Sequence, residues 1–229
     1  MITIKNMCCI TGSEQFLEDD SVDLIVTDPP FNLGFGGTTQ TRTKKPRFHI
    51  IENDKLSFRD YQRFSLQWLR QAYRILKPKH HIYVCIDWRM YPFLFRWMQR
   101  VGFHIKNLIV WDKVSFGMGW QYRFQHELVI FAVKGAHKVR RVSTRNTPDI
   151  WKIKRIPGNQ TCHPTEKPTE LFEIMIQNSS QPGELVVDFF TGIGASMEAA
   201  FNLKRDFYGF EIDTGYYNDT IKRYERIHI

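Results

Sequence analysis

Short strand-forming runs alternate along this chain with segments of helical period, and that alternation restricts the architecture more than any other feature. "VDLIVT" (22–27), "HIYVCID" (81–87), "FHIKNLIVW" (103–111) and "HELVIFAVK" (126–134) are apolar and rich in β-branched or aromatic residues, as buried strands are. Between the first two, Tyr61, Phe64, Trp68, Leu69, Ala72, Ile75 and Leu76 recur at helical spacing. Ser57 with Asp60 three residues on predicts the start of that helix, and Pro78 predicts its end. A second helix is predicted over Trp88 to Val101, with Pro92 tolerated in its first turn and Gly102 as its stop. After residue 165 the pattern continues as helix, strand "ELVVDFF", helix, strand "DFYGFEID" and a last helix carrying Tyr217, Ile221 and Tyr224. Alternation of this kind predicts a doubly wound α/β sheet. Residues 36–50 and 134–161 break the rhythm and read as too polar and basic for core.

Composition narrows what such a sheet serves. A chain of 229 residues with 42% hydrophobic content suits one domain with a substantial core. The start "MITIKNMCC" lacks the layout of a signal peptide, and no apolar run approaches a membrane span, so a cytosolic protein with no membrane partner is expected. Cys8, Cys9, Cys85 and Cys162 form no pair of C-x-x-C motifs; they read as reduced thiols, with no metal site expected. The net charge of +8 favours a polyanionic partner.

In open α/β sheets ligands sit beyond the carboxyl ends of the strands, so the residues just after each strand are where chemistry is sought. Asp28-Pro29-Pro30-Phe31 follows the first strand. Two prolines donate no hydrogen bonds, so with the Asp28 carboxylate their carbonyls offer acceptors without a competing amide. That suits an NH₂ group, and Phe31 offers a flat face to a planar ring. The same residues would also serve as a plain strand stop, with Phe31 in the core and Asp28 solvated. In "DFFTGIGASMEAA" (188–200) a strand ends at a Gly192-x-Gly194 turn, and about twenty residues on the next strand ends in Glu211, placed to accept from ribose hydroxyls. This pairing points to a cofactor of nucleoside type.

"TDPPF", "DFFTGIGAS" and "HPTEKP" (163–168), in that order, resemble the beta class of amino-group DNA methyltransferases that use S-adenosylmethionine. "VWDK" (110–113) and "GMGWQYRFQHELVIFAVKG" (117–135) are similar to the strand and hairpin preceding that class's recognition region. The resemblance implies a Rossmann-like methyltransferase fold over 1–229, mostly parallel with an antiparallel hairpin, a mobile basic loop at 36–56 and a candidate target-recognition segment at 135–162. Asp28 and the Pro29 carbonyl would accept hydrogen bonds from the exocyclic amine of a target base, Pro30 would stiffen the turn, and Phe31 would stack on the base once rotated out of the duplex. Methyl transfer would run in line, without a covalent enzyme intermediate.

The class's pattern further places Phe190, Gly192 and Gly194 around the methionine part of the cofactor, with Asp188, Ala195 and Ser196 in the same turn, Glu211 on the ribose and Asp213 beyond it. Thr165, Lys167 and His163 would lie beside the methionine part, Lys167 pairing with its carboxylate. Departures cluster in this half: Asp188-Phe189-Phe190 stands where D-P-F is usual, Gly192-Ile193-Gly194-Ala195 where G-S-G-T is, and Cys8-Cys9 where many members carry Gly-Asp, so Cys9 falls at an adenine-contacting position. Ser196 stands ready to replace one missing hydroxyl. Asp at position 28 is commoner in the adenine N-6 enzymes than in the cytosine N-4 ones, which favours adenine. Double-stranded DNA is the partner so implied, contacted through Arg42, Lys44, Lys45 and Arg47 in the first irregular segment and Arg140, Arg141 and Arg155 in the second, with Trp120, Arg123 and Trp151 as recognition or wedge residues. Several members of the class pair through this fold, so a homodimer is an admissible assembly.

Overall fold

Val22–Thr27 (β2) is buried at every position, as an unbroken apolar run predicts for a central strand. The computed structural model describes residues 1–34, 48–49, 51–135, 139–161 and 165–228; Arg42, Lys44, Lys45, Arg47 and His163 lie outside them. Ahead of β2 come strand β1 (Ile2–Asn6) and helix α1 (Cys9–Phe16), neither of which the sequence pattern announced. After it follow α2 (Phe58–Ile75), β3 (Leu76–Ile86), α3 (Tyr91–Val101), β4 (Phe103–Asp112), β5 (His126–Lys134), β6 (Ile150–Lys152), α4 (Thr169–Ser179), β7 (Leu185–Asp188), α5 (Ala195–Asn202), β8 (Asp206–Glu211) and α6 (Thr214–His228).

Among the described residues eight strands form one sheet, in the order β1-β8-β7-β2-β3-β5-β4-β6. β5 runs antiparallel to both β3 and β4, and the remaining pairs are parallel. β2 and β7 are neighbours, but the chain leaves β2 through α2 toward β3 on one side and leaves β7 through α5 toward β8 on the other. Right-handed crossovers in opposite directions place those helices on opposite faces. The crevice at the carboxyl ends of β2 and β7 is therefore the switch point where such sheets bind ligands.

Local chemistry accounts for the helix boundaries. Ser57 Oγ accepts from the Asp60 amide at 3.2 Å, and Tyr61, Trp68, Leu69, Ala72 and Ile75 form the buried stripe of α2. Gly102 ends α3 in the left-handed conformation, φ 118°. Three boundaries differ from expectation. α2 stops at Ile75, and Pro78 lies within β3 where the pairing with β2 skips between Val22↔Leu76 and Leu24↔His81. A residue without an N–H sits at that gap in the ladder. α3 starts at Tyr91, because the Met90 and Tyr91 amides first turn back onto the Asp87 carbonyl. The segment 134–161 is not wholly outside the core: β6 pairs with the edge of β4, and Trp151 and Ile153 are buried. Trp151 packs near Tyr83 and donates from Nε1 to the Pro148 carbonyl at 2.8 Å, so it is a packing residue and not a recognition side chain. No helix among the described residues is long and apolar enough to cross a membrane.

Leu69→Ala opens a void under α2 and is expected to cost about 3 kcal/mol of unfolding free energy, whereas Ser57→Ala removes only a cap and costs about 1 kcal/mol. Urea unfolding followed by circular dichroism separates the two.

Candidate active site

The carboxyl ends of β2 and β7 are joined before any ligand is considered. Thr27 Oγ1, the last side chain of β2, donates to Asp188 Oδ1 at 2.8 Å. The other oxygen, Asp188 Oδ2, accepts from Ser196 Oγ at 2.5 Å, and Oδ1 also accepts the Phe190 amide at 2.9 Å. Asp188 and Ser196, both predicted cofactor residues, thus hold each other and shape the turn from beneath. Burial pushes the Asp188 carboxyl up to about 6 despite these donors.

Beyond β7 the chain enters the glycine turn. Gly192 (φ 56°) and Gly194 (φ 86°) both adopt left-handed backbone, which a side chain would strain. A Cβ on Gly194 would lie 2.8 Å from Thr220 Cγ2, so that glycine lets α6 approach; a Cβ on Gly192 would meet nothing within 4 Å, because its bare face looks into open space. Glu211, at the end of β8, accepts the Gly192 amide on Oε2 and the Asp213 amide on Oε1, each at 2.8 Å. Each oxygen keeps a second lone pair for a hydroxyl. Burial raises the Glu211 carboxyl to about 7.

The turn after β2 faces the same space. Pro30 is pinned from α2 by Tyr61 Oη, which donates to its carbonyl at 2.7 Å. Phe31 is 8% exposed, its ring packed into the core with Lys167 Nζ 5.0 Å from the centroid. Asp28 presents two unlike oxygens: Oδ2 pairs with Lys167 Nζ at 2.7 Å, while Oδ1 is buried without a hydrogen-bond partner. Burial, opposed by Lys167 and reinforced by Glu127, pushes the Asp28 carboxyl up to about 6.

These residues line one cleft of about 1070 Å³ including its open mouth. It brings together Cys9, Asp28, Pro29, Pro30, Phe31, Thr165, Lys167, Asp188, Phe190, Gly192, Ala195, Glu211 and Asp213 of those expected from sequence; Gly194 and Ser196 support the wall from behind. The described end of the basic loop also contributes, through Ile51 to Asp54. It is tied across the cleft mouth by Leu33 N to Asp54 Oδ1 (3.2 Å), Leu56 N to Asn32 Oδ1 (2.7 Å) and Tyr216 Oη to the His49 carbonyl (3.1 Å). Lys167 is present but turned: its Nζ donates to Asp28 Oδ2 at 2.7 Å and to the Thr165 carbonyl at 3.4 Å and lies 3.1 Å from Glu127 Oε2, so its charge is met by the protein's own carboxylates.

The expected DNA contacts divide. Trp120 (94% exposed) and Arg123 stand on the tip between β4 and β5, and Arg155 follows β6; all three lie at the cleft end of the sheet. Arg140 and Arg141 lie at the opposite, amino end: the Arg140 amide bonds to the Lys79 carbonyl and its guanidinium pairs with Glu184 at 2.8 Å. Sequence reasoning missed Thr27, Tyr61 and Glu127. Glu127 was legible in one respect, since a reversed strand brings its first residues to the end where its parallel neighbours finish.

A doubly wound sheet with a cleft at its switch point, between an Asp-Pro-Pro turn and a glycine turn, defines the class of open α/β ligand-binding folds. Within that class the chain belongs to the N6/N4 DNA methylase family, whose model matches residues 22–223. It is 29% identical to the type II methyltransferase M.HpaI of Haemophilus parainfluenzae over 87% of this chain and 67% of that protein, and 27% identical to M2.DpnII of Streptococcus pneumoniae over 96% and 91%. Another relative, M.BglII of Bacillus subtilis, is 24% identical, and this chain spans 62% of its length. The fold is shared with the M1.HpyAVI-SAM complex (TM-score 0.70, 24% identity, 97% of this chain and 100% of that one) and with the cytosine-N4-specific PvuII DNA methyltransferase (TM-score 0.77, 18% identity, 97% and 86%).

Asp188→Ala leaves Thr27 Oγ1, Ser196 Oγ and the Phe190 amide without their acceptor. A loss of about 2–3 kcal/mol in unfolding free energy is expected, measured in urea without any ligand; a change within 0.5 kcal/mol, roughly the scatter of a surface substitution, would contradict it.

Proposed function

We propose that this protein methylates the N-6 amine of adenine in double-stranded DNA, using S-adenosylmethionine and acting on a base rotated out of the duplex. The observation that carries the reading is Asp28, which lines the cleft that also holds Gly192 and Glu211, is followed by two prolines, and keeps its buried Oδ1 without a hydrogen-bond partner. An ionised Asp28 and the Pro29 carbonyl accept the two amine hydrogens and keep the nitrogen lone pair on its line of attack. Burial of the pair in a site of low dielectric makes those bonds stronger than in water.

The cofactor residues fit that assignment. S-adenosylmethionine supplies, when bound, a methyl group on a positively charged sulfur. Gly192 leaves room for it, Phe190 and Ala195 line its methionine end with Thr165, and Glu211 takes the ribose hydroxyls. Cys9, Ile212 and Asp213 border the adenine side of the cleft. Adenine as target is supported by Asp, and not Ser, at position 28. DNA binding is supported by the cleft-end surface, where Phe116, Met118, Trp120 and Tyr122 are exposed at alternate positions of the hairpin tip beside Arg123 and Arg155. Rings and guanidinium groups of this kind hold unstacked bases and phosphates. Phe31, already packed against Lys167, forms the floor under the base more than an open stacking face.

Plasmid incubated with protein and S-adenosylmethionine, then digested to nucleosides, is expected to contain N-6-methyladenine by mass. Asp28→Ala should remove it, and N-4-methylcytosine in its place would overturn the choice of base. A protonated Asp28 donates where it must accept, so the rate is expected to fall tenfold per pH unit below about pH 6, to which burial raises this carboxyl. Arg123→Ala is expected to lower the dependence of log affinity on log salt by about one, with cofactor binding unchanged. Filter binding across a salt series would measure it, and an unaltered slope would remove Arg123 from the interface.

A further inference from the structure

Four buried or half-buried charges of alternating sign run from the base of the β4–β5 hairpin to the amine-accepting turn. Lys113 Nζ lies 2.9 Å from Glu127 Oε1, Glu127 Oε2 lies 3.1 Å from Lys167 Nζ, and Lys167 Nζ lies 2.7 Å from Asp28 Oδ2. Lys167 is 4% exposed, so its charge has no recourse to water. The proposed reaction needs only Asp28, which leaves the other three without a stated purpose.

A lone buried ammonium beside Asp28 would do two things to it. It would hold the carboxylate ionised far below neutral pH, and it would draw electron density from both oxygens, weakening them as acceptors for a neutral amine. Glu127, on the far side of the same ammonium, divides that pull. The groups facing Asp28 are Lys167 from the loop before α4, Glu127 from β5, Asp188 at the end of β7 and Cys85 from β3. Of these, Lys167 favours its charged form, while Glu127 and Asp188 oppose it.

We propose that Lys167 and Glu127 are positioning residues for the amine acceptor: Lys167 clamps Asp28 Oδ2 and so fixes the carboxylate's orientation, leaving Oδ1 as its one unpartnered oxygen, and Glu127 limits the charge that Lys167 takes from it. This rests on Asp28 serving as acceptor for the base amine. Neither positioning residue touches the substrate. The pair therefore acts on the proton affinity and the orientation of one carboxylate, and its part in transfer is read from the methylation midpoint moving together with that of the carboxyl.

The test reads Asp28 twice, by the acid limb of single-turnover methylation against pH and by ¹³C NMR titration of the Asp28 carboxyl in protein without DNA. Glu127→Gln, nearly the same shape, removes a like charge and should lower both midpoints by about one pH unit. Lys167→Met removes the counter-ion and should raise both by about one unit or more, with Lys167→Arg returning them toward the original value. Midpoints that stay in place, or move the same way in Glu127→Gln and Lys167→Met, overturn the proposal. Should Lys167→Met fail to fold, the Glu127→Gln titration decides alone, an unmoved midpoint again overturning it. NMR midpoints that move as expected in a protein that transfers no methyl group would leave the charge arrangement standing and refute the methyltransferase reading instead.

Discussion

The hydrogen bond from Thr27 to Asp188 joins residues 161 positions apart and sets the spacing of everything that reacts. It fastens the last side chain of one central strand to the last side chain of its neighbour, where the crossovers part to opposite faces. The turn that would hold the amine departs from one side of that bond and the turn that would hold the cofactor from the other. Two reacting groups brought from distant stretches of chain must meet within a few tenths of an ångström, and a short buried bond between the strand ends is a direct way to achieve it. Ser196 and the Phe190 amide complete the coordination of the same carboxylate, so the cofactor turn inherits its shape from the strand pairing.

The second organising feature is electrostatic. Burying Lys167 between Asp28 and Glu127 costs desolvation that a hydrophobic trio would not incur. Tyr61 holds the Pro30 carbonyl from α2 and Asn32 is held by the Leu56 amide just ahead of that helix, so the turn that carries Asp28 is fixed from outside while its carboxylate rests on Lys167. Such a site trades stability for an acceptor held ready in a dry wall.

The residues that line the cleft were more legible in the sequence than those that support them. Asp28 to Phe31, the glycine turn and Glu211 occupy consecutive or regularly spaced positions after recognisable strands, so the strand ends pointed to them, and the structure brings them to one cleft. Thr27, Tyr61 and Glu127 act through partners on other elements, and their roles appear only once the strand order is known. Strand β1 mixes Lys5 and Asn6 with its apolar residues because it is a half-exposed edge, α1 spans only eight residues without a side-chain cap, and β6 hides three residues inside a basic stretch. Lys167 shows the converse: its motif was legible, but a lysine in a loop has several anions within reach, and the nearest proved to be the protein's own.

The outer edge of the sheet is made by β1 against β8, a pairing of Ile2 to Asn6 with Phe207 to Glu211. Asn6 then donates to the Glu211 carbonyl at 2.9 Å, beside the carboxylate that would hold the ribose. The wall that carries Glu211 thus rests on a pairing between residues 205 positions apart. Contacts of that separation form slowly, because the loop between them must close before they are gained. That wall is therefore expected to be among the last parts of the cleft to form on refolding.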